Sequence, residues 1–459
     1  MNKRFVVFLL LGLALLGAAE WDIHERVLSP IRKLDRFWID FCIGNAGNKI
    51  GEPSISMVRI PDDYEPVPVG AENTNPQDEK SLTRLDYAAF LYAIGKMNPK
   101  AVSFLPTPVF GAKSVLNETT IYPLKDAALQ LPRMTLGAIV SSEGKPANAK
   151  ENVTFPAIVV KGDTSQIPLI AKTTIPADPD FLVNGDPAFV QSESFQPITG
   201  AYPRIQLVAR QGDKVVPGFV LSSVAKQAGL ALDKITLDLE SRKPVIQVGD
   251  LYTIPVATDG SMSLPSHGGL KHSMYTVSTD ANGDETRTYQ FASMTVEDVA
   301  LAAARTDKVA QTLYDEFAGK FQSLSSNLVL LGYDRTSDRT IPTANEEWLS
   351  PMTATARAIA TIQSGRHIKR WPVPIRAAVY VGIFVLGAIL LGFSRKASPL
   401  ILGAGIAVTA GMVLVFRETL TWTPPFAIFG LFALMFLIGI FSSGKPKKEV
   451  TEPEEPTTA

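Results

Sequence analysis

Three uncharged apolar runs near the C-terminal end dominate the hydrophobic pattern of this chain. They cover residues 377–393, 400–416 and 426–441, and each is 16 or 17 residues long. A bilayer core needs roughly 17–25 helical residues, which the flanking apolar positions can supply. Because only helices and closed barrels satisfy backbone polar groups in lipid, the pattern predicts three transmembrane helices. We place them at about residues 376–393, 399–416 and 425–441, within a membrane region of residues 372–441.

A fourth apolar run, residues 5–19, follows Lys3 and Arg4 at the start of the chain. Gly17-Ala18-Ala19 fits a signal-peptidase cleavage site. Residues 1–19 are therefore either a cleaved signal peptide or an uncleaved signal anchor. Both alternatives carry the region that follows out of the cytoplasm.

Between these apolar ends, residues 20–371 show the periodicities of a mixed α/β protein. Residues 54–60 alternate as a strand, residues 82–97 have helical spacing, and residues 101–105 form a short apolar run. Strand, helix and strand in this order predict a parallel pair joined by a crossover helix. Residues 328–331 are wholly apolar, as in a strand covered on both faces of a sheet. We therefore predict an α/β extracytoplasmic domain with a mixed, partly parallel sheet.

Two helix starts and one helix end carry recognisable signals. Thr83 with Asp86, and Thr295 with Asp298, have the spacing of capping pairs. Gly365 is placed to end a helix over residues 351–363. The stretch of residues 143–196 is rich in Pro, Asn and Asp, and its pattern does not place it.

Composition and motifs exclude several classes of function. The formal net charge of the 459 residues is −1, so the basic surface typical of a nucleic-acid-binding protein is not expected. Cys42 is the single cysteine, which rules out an intramolecular disulfide and a cysteine-based zinc site. The sequence holds no nucleophile elbow, phosphate-binding loop or metal-ligand cluster. We predict no cofactor, no metal and no catalytic activity.

Four acidic residues follow two of the predicted strands at their carboxyl ends. Asp62 and Asp63 follow the first strand, and Asp334 and Asp338 follow the strand over residues 328–331. In open α/β sheets, ligands bind in the crevice outside those ends. If the two strands are neighbours, the acids could line one pocket for a cation, an amine or a sugar. The alternative is that they form turns, since Asp favours such positions.

Basic residues lie at both predicted ends of the transmembrane helices, and the positive-inside rule supports but does not settle the topology. The predicted inner side holds Lys3, Arg4, Arg395, Lys396, Lys445, Lys447 and Lys448, and the predicted outer side holds Arg366, Lys369, Arg370, Arg376 and Arg417. The N-terminal signal then gives a cytoplasmic N-terminus, an external central region and a cytoplasmic tail. That tail, residues 442–459, is disordered by composition.

Small residues interrupt the first two predicted C-terminal helices. They are Gly382, Gly387, Gly403, Ala407 and Gly411. Small residues allow membrane helices to approach closely, so these five are candidate contacts with a partner helix. Packing among the helices of this chain is the alternative use.

Four groups of segments follow one another in a particular order. They are Ile60-Pro61-Asp62-Asp63; residues 82–105; Pro217-Gly218-Phe219 with Ile254-Pro255 and Asp259-Gly260; and residues 328–332 with Asp338, Pro342 and residues 354–365. In this order, and ahead of three apolar helices, residues 20–441 resemble the extracellular CHASE sensor domain, type two. That domain occurs on bacterial cyclases, histidine kinases and serine/threonine kinases. A tryptophan-proline-arginine stretch usual in the family is replaced by residues 80–84.

The resemblance implies a sensor in the bacterial inner (plasma) membrane, with its large domain periplasmic. Family members usually continue into a kinase or cyclase, whereas here only residues 442–459 follow the last helix. We therefore expect a ligand-binding protein that binds an unknown small molecule, relays to a separate kinase or cyclase, and forms a homodimer. The alternatives are a structural or interaction protein of the cell envelope without a ligand, and an extracytoplasmic enzyme of unknown class.

Overall fold

The chain folds into two compact units. The structure is a computed structural model, and it describes residues 3–25, 37–38, 41–42, 54–61, 64, 83–105, 115–143, 153–176, 180–190, 204–241, 244–263, 275–279, 285–289, 292–304, 327–333, 341–342, 348–391, 397–423 and 425–441. Met1–Cys42 and Lys369–Ala459 form one unit, here named the helical unit. Ile43–Ile368 form the other, here named the α/β unit.

Helices occur in both units. In chain order they are α1 (Lys3–Glu25), α2 (Arg84–Lys96), α3 (Val115–Leu129), α4 (Phe219–Gln227), α5 (Val296–Ala304), α6 (Pro351–Ser364), α7 (Val373–Leu390), α8 (Ala397–Thr419) and α9 (Pro425–Phe441). Short 3₁₀ turns occupy Leu182–Asn184 and Leu232–Lys234.

Strands make up much of the α/β unit. They are β1 (Ile55–Ile60), β2 (Ala101–Leu105), β3 (Met134–Ser141), β4 (Val159–Lys161), β5 (Lys172–Ile175), β6 (Gly185–Val190), β7 (Arg204–Gln206), β8 (Val208–Gln211), β9 (Lys214–Pro217), β10 (Ile235–Asp238), β11 (Val245–Val248), β12 (Tyr252–Pro255), β13 (Ser261–Ser263), β14 (Tyr275–Thr279), β15 (Glu285–Tyr289), β16 (Ala292–Thr295), β17 (Leu328–Tyr333), β18 (Ile341–Pro342) and β19 (Trp348–Leu349). Two short strands of the helical unit are β20 (Lys369–Arg370) and β21 (Thr421–Trp422).

The main sheet is mixed but mostly parallel. Its parallel strands follow the order β16-β1-β17-β2-β3-β6, and β5 pairs antiparallel with the end of β3. A second sheet has the order β12-β11-β10-β4, and β8 with β9 forms one of several two-stranded sheets. The predicted mixed, partly parallel sheet with helices is therefore confirmed. The segments left unplaced within residues 143–196 supply β4, β5 and β6.

β1 and β2 are not neighbours in the main sheet, although they were predicted to form a parallel pair. β1 and β2 are joined by α2 and run parallel, but β17 lies between them and pairs with both. The wholly apolar β17 is buried from Leu328 to Gly332, as its pattern predicted. A strand close to the end of the α/β unit therefore completes the centre of a sheet that begins more than 200 residues earlier.

Local signals start and end the helices where the sequence predicted. The Thr83 hydroxyl accepts from the Asp86 amide at 3.2 Å, while Asp86 Oδ2 accepts from the Thr83 amide at 2.7 Å. Asp298 and Thr295 make the same exchange at the start of α5. Gly365 ends α6 with a φ of 64°, the left-handed conformation that favours glycine.

The two faces of the main sheet bury separate hydrophobic clusters. Ile55 and Leu328 belong to the cluster that includes α4, α6 and the second sheet. Val58 and Val329 belong to the cluster that includes α2, α3 and α5. Successive residues of a strand point to opposite faces, so the apolar strands are covered on both sides. The α/β unit is thus a layered, doubly wound fold.

In the helical unit, α1 packs against both α7 and α9. Phe8 is fully buried. A Cβ atom added to Gly387 would lie 2.4 Å from Phe8 Cε1 and 3.1 Å from Met435 Sδ. The aromatic ring of Phe8 therefore occupies the space that the missing side chain of Gly387 leaves.

A second close approach in the helical unit fixes the direction of α1 against α9. A Cβ atom added to Gly430 would lie 2.8 Å from Leu15 Cδ2. Since Phe8 lies near Met435 and Leu15 near Gly430, the two helices are antiparallel. The start of α1 and the ends of α7 and α9 consequently lie at one end of the helical unit.

β20 and β21 pair with each other at Lys369–Thr421 and Arg370–Trp422.

Among the residues that the structure describes, two helices are long and apolar enough to cross a membrane. They cover Val373–Leu390 and Pro399–Thr419, and only 28% and 17% of their residues are buried within the structure. A core helix of a soluble protein would be mostly buried, so these outward apolar surfaces suggest membrane association. The third predicted span corresponds to a shorter apolar helix, Pro425–Ile440. The bounds of these two helices lie within three residues of the predicted spans 376–393 and 399–416, and that they cross a membrane stays a prediction.

Candidate functional site

The strands that precede the predicted acidic residues are direct neighbours. β1 and β17 run parallel, and Ile60 pairs in register with Tyr333. Asp62 and Asp63 follow Pro61 in the sequence, and Asp334 follows Tyr333. These acids and Asp338 lie outside the described residues. The structure therefore brings the two strand ends together without describing the four carboxylates.

The helices that follow these neighbouring strands in the chain pack on opposite faces of the sheet. α6 follows β17 and packs with Ile55 and Leu328, whereas α2 follows β1 and packs with Val58 and Val329. Such a reversal is a topological switch point, where open α/β sheets leave a crevice outside the carboxyl ends of the strands. We name the residues around this crevice the carboxyl edge.

Tyr64 stands at the carboxyl edge and is held by α2. Its hydroxyl donates to Asp86 Oδ1 at 2.9 Å, and its ring meets that of Phe90 edge-on at a centroid distance of 5.3 Å. Burial, then the hydrogen bond and charge of Asp86, and the nearby charge of Glu297 raise the pKa of Tyr64 above its ordinary value. The hydroxyl stays protonated at neutral pH, in surroundings of negative potential.

Two of the described carboxylates near this edge already make helix-capping hydrogen bonds. Asp86 is fully buried and caps α2, while Asp298 caps α5. Glu297 is half-buried and caps no helix in the described part of the chain. Glu297 lies close enough to Tyr64 for its charge to act on the phenol.

The opposite edge of the sheet holds a charged cavity that sequence reasoning missed. The cavity measures about 620 Å³ and lies where β2, β3 and β6 begin. Its charged lining residues are Lys100, Arg133, Asp186, Lys226 and Asp233. We name this the amino-edge cavity. Asp186 fell in the unplaced stretch, so no pattern linked it to the cations.

Asp186 holds two of these cations together. Arg133 Nε donates to Asp186 Oδ2 at 2.8 Å, a second guanidinium nitrogen donates to Oδ1, and Lys226 Nζ also donates to Oδ2. Burial alone would raise the pKa of Asp186, but the hydrogen bonds and charges of Arg133 and Lys226 outweigh burial and lower it. The carboxylate is therefore ionised and links the starts of β3 and β6 to the end of α4.

A closed set of hydrogen bonds lies beside this cavity. Gln363 Nε2 of α6 donates to Gln227 Oε1 at 2.6 Å, and Gln227 Nε2 donates to the Ser54 carbonyl at 2.8 Å. The Ser54 amide donates to Gln363 Oε1 at 3.0 Å. Lys226 of the cavity and Gln227 of this network are adjacent in the sequence. The end of α6 is thus connected to α4 and to the start of β1.

The five candidate contact residues of the apolar helices divide into two groups. Gly387 is buried against Phe8 and Met435 and packs inside the helical unit. The others, Gly382, Gly403, Ala407 and Gly411, are exposed or half-exposed, and the three glycines among them have open space where a Cβ would lie. The alternative use, internal packing, therefore applies to Gly387.

Other candidate chemistry is sparse in the described residues. No group of three or more His, Cys, Asp and Glu side chains there could hold a metal ion. Cys42 is buried in the helical unit. The chain matches no protein-family model, and comparison with curated proteins and with solved structures finds no significant similarity.

Proposed function

We propose that the chain is a membrane-anchored, extracytoplasmic sensor that binds a small ligand and signals through its apolar helices to a separate partner. The observation that carries the proposal is that the parallel neighbours β1 and β17 are followed by helices on opposite faces of the sheet, the arrangement that forms a ligand crevice in open α/β sheets. This crevice is flanked in sequence by Asp62, Asp63 and Asp334. It belongs to a unit whose last helix, α6, leads through residues 365–372 into α7.

The chemistry of the carboxyl edge favours a cationic or polyhydroxylated ligand. The described groups that interact with the Tyr64 phenol include Asp86 and Glu297. A carboxylate accepts hydrogen bonds and attracts positive charge, whereas a second anion would be repelled. The ligand class is therefore a cation, an amine or a sugar.

The arrangement of the helical unit supports an external position for the α/β unit. Lys3 and Arg4 begin α1 at the same end as the C-terminal ends of α7 and α9. Arg395 and Lys396 follow α7 in the sequence, and three lysines follow α9. Basic residues favour the cytoplasmic side, which leaves the α/β unit on the other side of the plasma membrane.

The proposed partner is a separately encoded kinase or cyclase, reached by helix-to-helix contact within the bilayer. The outward small residues of α8, Gly403, Ala407 and Gly411, are spaced four apart and therefore lie on one helix face. Close approach of a partner helix needs such a face. The resemblance to sensor domains of kinases and cyclases suggests the class of partner.

Ligand binding is tested by isothermal titration and thermal shift on the full chain in detergent, with amines, sugars and divalent cations as probes. We expect a saturable ligand whose affinity falls at least tenfold in Glu297→Gln and Asp338→Ala. Asp213→Asn, an exposed residue in the β8–β9 turn, serves as the matched control. Unchanged affinity in Asp338→Ala and Glu297→Gln would refute the crevice as the site. A library without any saturable ligand would favour an envelope scaffold.

Membrane placement is tested by cysteine accessibility in a Cys42→Ser background. A cysteine at Asp213 should react with an impermeant maleimide in intact cells with a permeabilised outer membrane. A cysteine at Thr457 should react only after lysis. The reverse labelling pattern would overturn the proposed topology.

Partner contact is tested by affinity purification in mild detergent. We expect Gly403→Leu and Gly411→Leu to lose a kinase or cyclase that copurifies with the wild-type chain, while Gly382→Leu on α7 retains it. Recovery of the same partner by the α8 variants would refute the contact on that helix face.

A further inference from the structure

The amino-edge cavity has the chemistry of a binding site for an anion. It is open to solvent, since the Arg133 side chain is 63% exposed, yet the Lys226 side chain is only 13% exposed. Lys100 stands at the rim and forms no ion pair within the described part of the chain. Three cations therefore face two acids, Asp186 and Asp233.

Asp186 orients these cations without using all their donors. Arg133 donates from one edge of its guanidinium to the Asp186 carboxylate. Its remaining N–H groups stay available to a ligand. The Lys226 ammonium has three N–H donors, of which Asp186 accepts one. A planar guanidinium fixed in this way is suited to bind a carboxylate or phosphate.

The rest of the cavity wall is apolar. It includes Pro132, Pro156, Ala157, Leu230 and Leu232. A ligand that fills about 620 Å³ would therefore place a charged head on the cations and an uncharged body against these side chains.

The cavity is also connected to the helix that leads to the membrane. Lys226 and Gln227 share the last turn of α4. Gln227 accepts from Gln363, which lies in the last turn of α6. A shift of the α4 end, caused by an anion that pulls Lys226 away from Asp186, would alter the hydrogen bonds of Gln363.

We propose that the amino-edge cavity binds a small organic anion, with a carboxylate or phosphate head and an apolar body, and that α6 responds to its occupancy. The binding part stands alone, whereas the α6 response rests on the proposed sensor function. This anion site is distinct from the crevice at the carboxyl edge and has the opposite charge preference. The molecule would then combine two inputs on one helix.

Binding is tested by titration of the full chain with phenyl phosphate and phenylacetate, with inorganic phosphate as the head alone. The uncharged phenylacetamide has the same shape as phenylacetate and isolates the contribution of charge. We expect saturable binding of one of the two aromatic anions, a Kd raised about tenfold in Arg133→Gln, and no binding of phenylacetamide. Lys100→Gln should weaken binding without changing stability.

The matched control is Lys172→Gln, an exposed lysine at the start of β5 that pairs with the far end of β3. Equal Kd values for wild type, Arg133→Gln and Lys100→Gln would overturn the site, as would equal binding of phenylacetamide. If inorganic phosphate binds and the two aromatic anions bind no more tightly, the proposed apolar contacts of the ligand body would be overturned. The cavity would then be a site for phosphate alone.

The α6 response is tested by hydrogen–deuterium exchange of the full chain with and without the anion that binds. We expect slower or faster exchange at residues 359–365 in the wild type and no change there in Gln363→Leu, which should keep its affinity. Anion binding without any exchange difference in α6 would overturn the response while leaving the site intact. This outcome separates failure of the sensor proposal from failure of the binding site.

Discussion

The two edges of the main sheet differ in charge and in how their polar groups are held. At the carboxyl edge, Asp86 and Asp298 cap helices, and the phenol of Tyr64 is kept protonated beside them. At the amino edge, Asp186 forms ion pairs with Arg133 and Lys226 at an open cavity. On the proposals made above, the first edge would take positive or neutral ligands and the second negative ones. The last turn of α6 is hydrogen-bonded through Gln363 to Gln227 of α4, so the proposed response to the second edge would pass through that contact.

The largest effect is expected where β17 meets β2 at the carboxyl edge. A Cβ atom on Gly332 would lie 1.9 Å from the Leu105 carbonyl oxygen, a distance that backbone atoms cannot relieve. Gly332→Ala should therefore lower the free energy of unfolding by about 4 kcal/mol or more. Denaturant unfolding of the purified chain measures this change.

The control for this substitution is Gly95→Ala in α2. An added Cβ there would meet Leu131 Cδ2 at 3.5 Å, an ordinary contact, and alanine is the better helix former. We expect no loss of stability. Similar stability of Gly332→Ala and wild type would mean that β17 and β2 can separate at this position, and the close approach of Gly332 to Leu105 would be wrong.

At the amino edge, Asp186→Asn should cost about 2 kcal/mol at pH 7, because charged hydrogen bonds to Arg133 and Lys226 are lost. The pKa of Asp186 is lowered in the folded state. Its contribution is therefore complete above the ordinary carboxyl pKa of about 4 and is lost as pH falls through the lower folded value. Stability measured between pH 7 and pH 2 should show the two proteins converging in acid, and a constant difference would contradict the ion cluster.

A smaller effect is expected from the network between α4 and α6. Gln363→Leu removes the bonds to Gln227 and Ser54 and should lower stability by about 1–2 kcal/mol. Gln130→Leu, which loses only an exposed hydrogen bond to Asp126, is the matched control. Equal stabilities of the two variants would mean that α6 is held by apolar packing alone, without a polar connection to the amino edge.

The smallest effect is expected at Tyr64. Tyr64→Phe removes the bond to Asp86 and should cost about 1 kcal/mol. The pKa of Tyr64 is raised in the folded state, so its contribution is complete below the ordinary phenol pKa of about 10 and is lost progressively as pH rises from there through the higher folded value. Thermal unfolding at pH 7 and at pH 11 checks both points, and a difference that persists unchanged at pH 11 would contradict the hydrogen bond.

Local rules predicted much of the carboxyl edge but none of the amino edge. The capping pairs are short-range signals, and apolar content alone identified β17 as a covered strand. The insertion of β17 between β1 and β2 depends on contacts more than 200 residues apart in the sequence, which periodicity does not encode. Asp186 lies in a Pro-rich stretch without clear alternation. No sequence pattern therefore predicted its ion pairs with Arg133 and Lys226.

The glycines of the helical unit show the same limit. Gly382 and Gly387 look equivalent in an apolar helix, but only Gly387 receives a side chain from another helix. Which face of a membrane helix packs internally depends on its neighbours, because apolar residues occur on all sides. The sequence could identify the small residues as candidate contacts. It could not separate those that pack inside the helical unit from those that face outward.

The packing of α1 against α7 and α9 has a consequence for the order in which the helical unit assembles. α1 precedes its partners α7 and α9 in the chain by hundreds of residues. Phe8 gains its neighbour Gly387 with α7, whereas Leu15 gains its neighbour Gly430 only with α9. A chain cut before residue 425 would therefore leave the part of α1 that carries Leu15 without its packing partner.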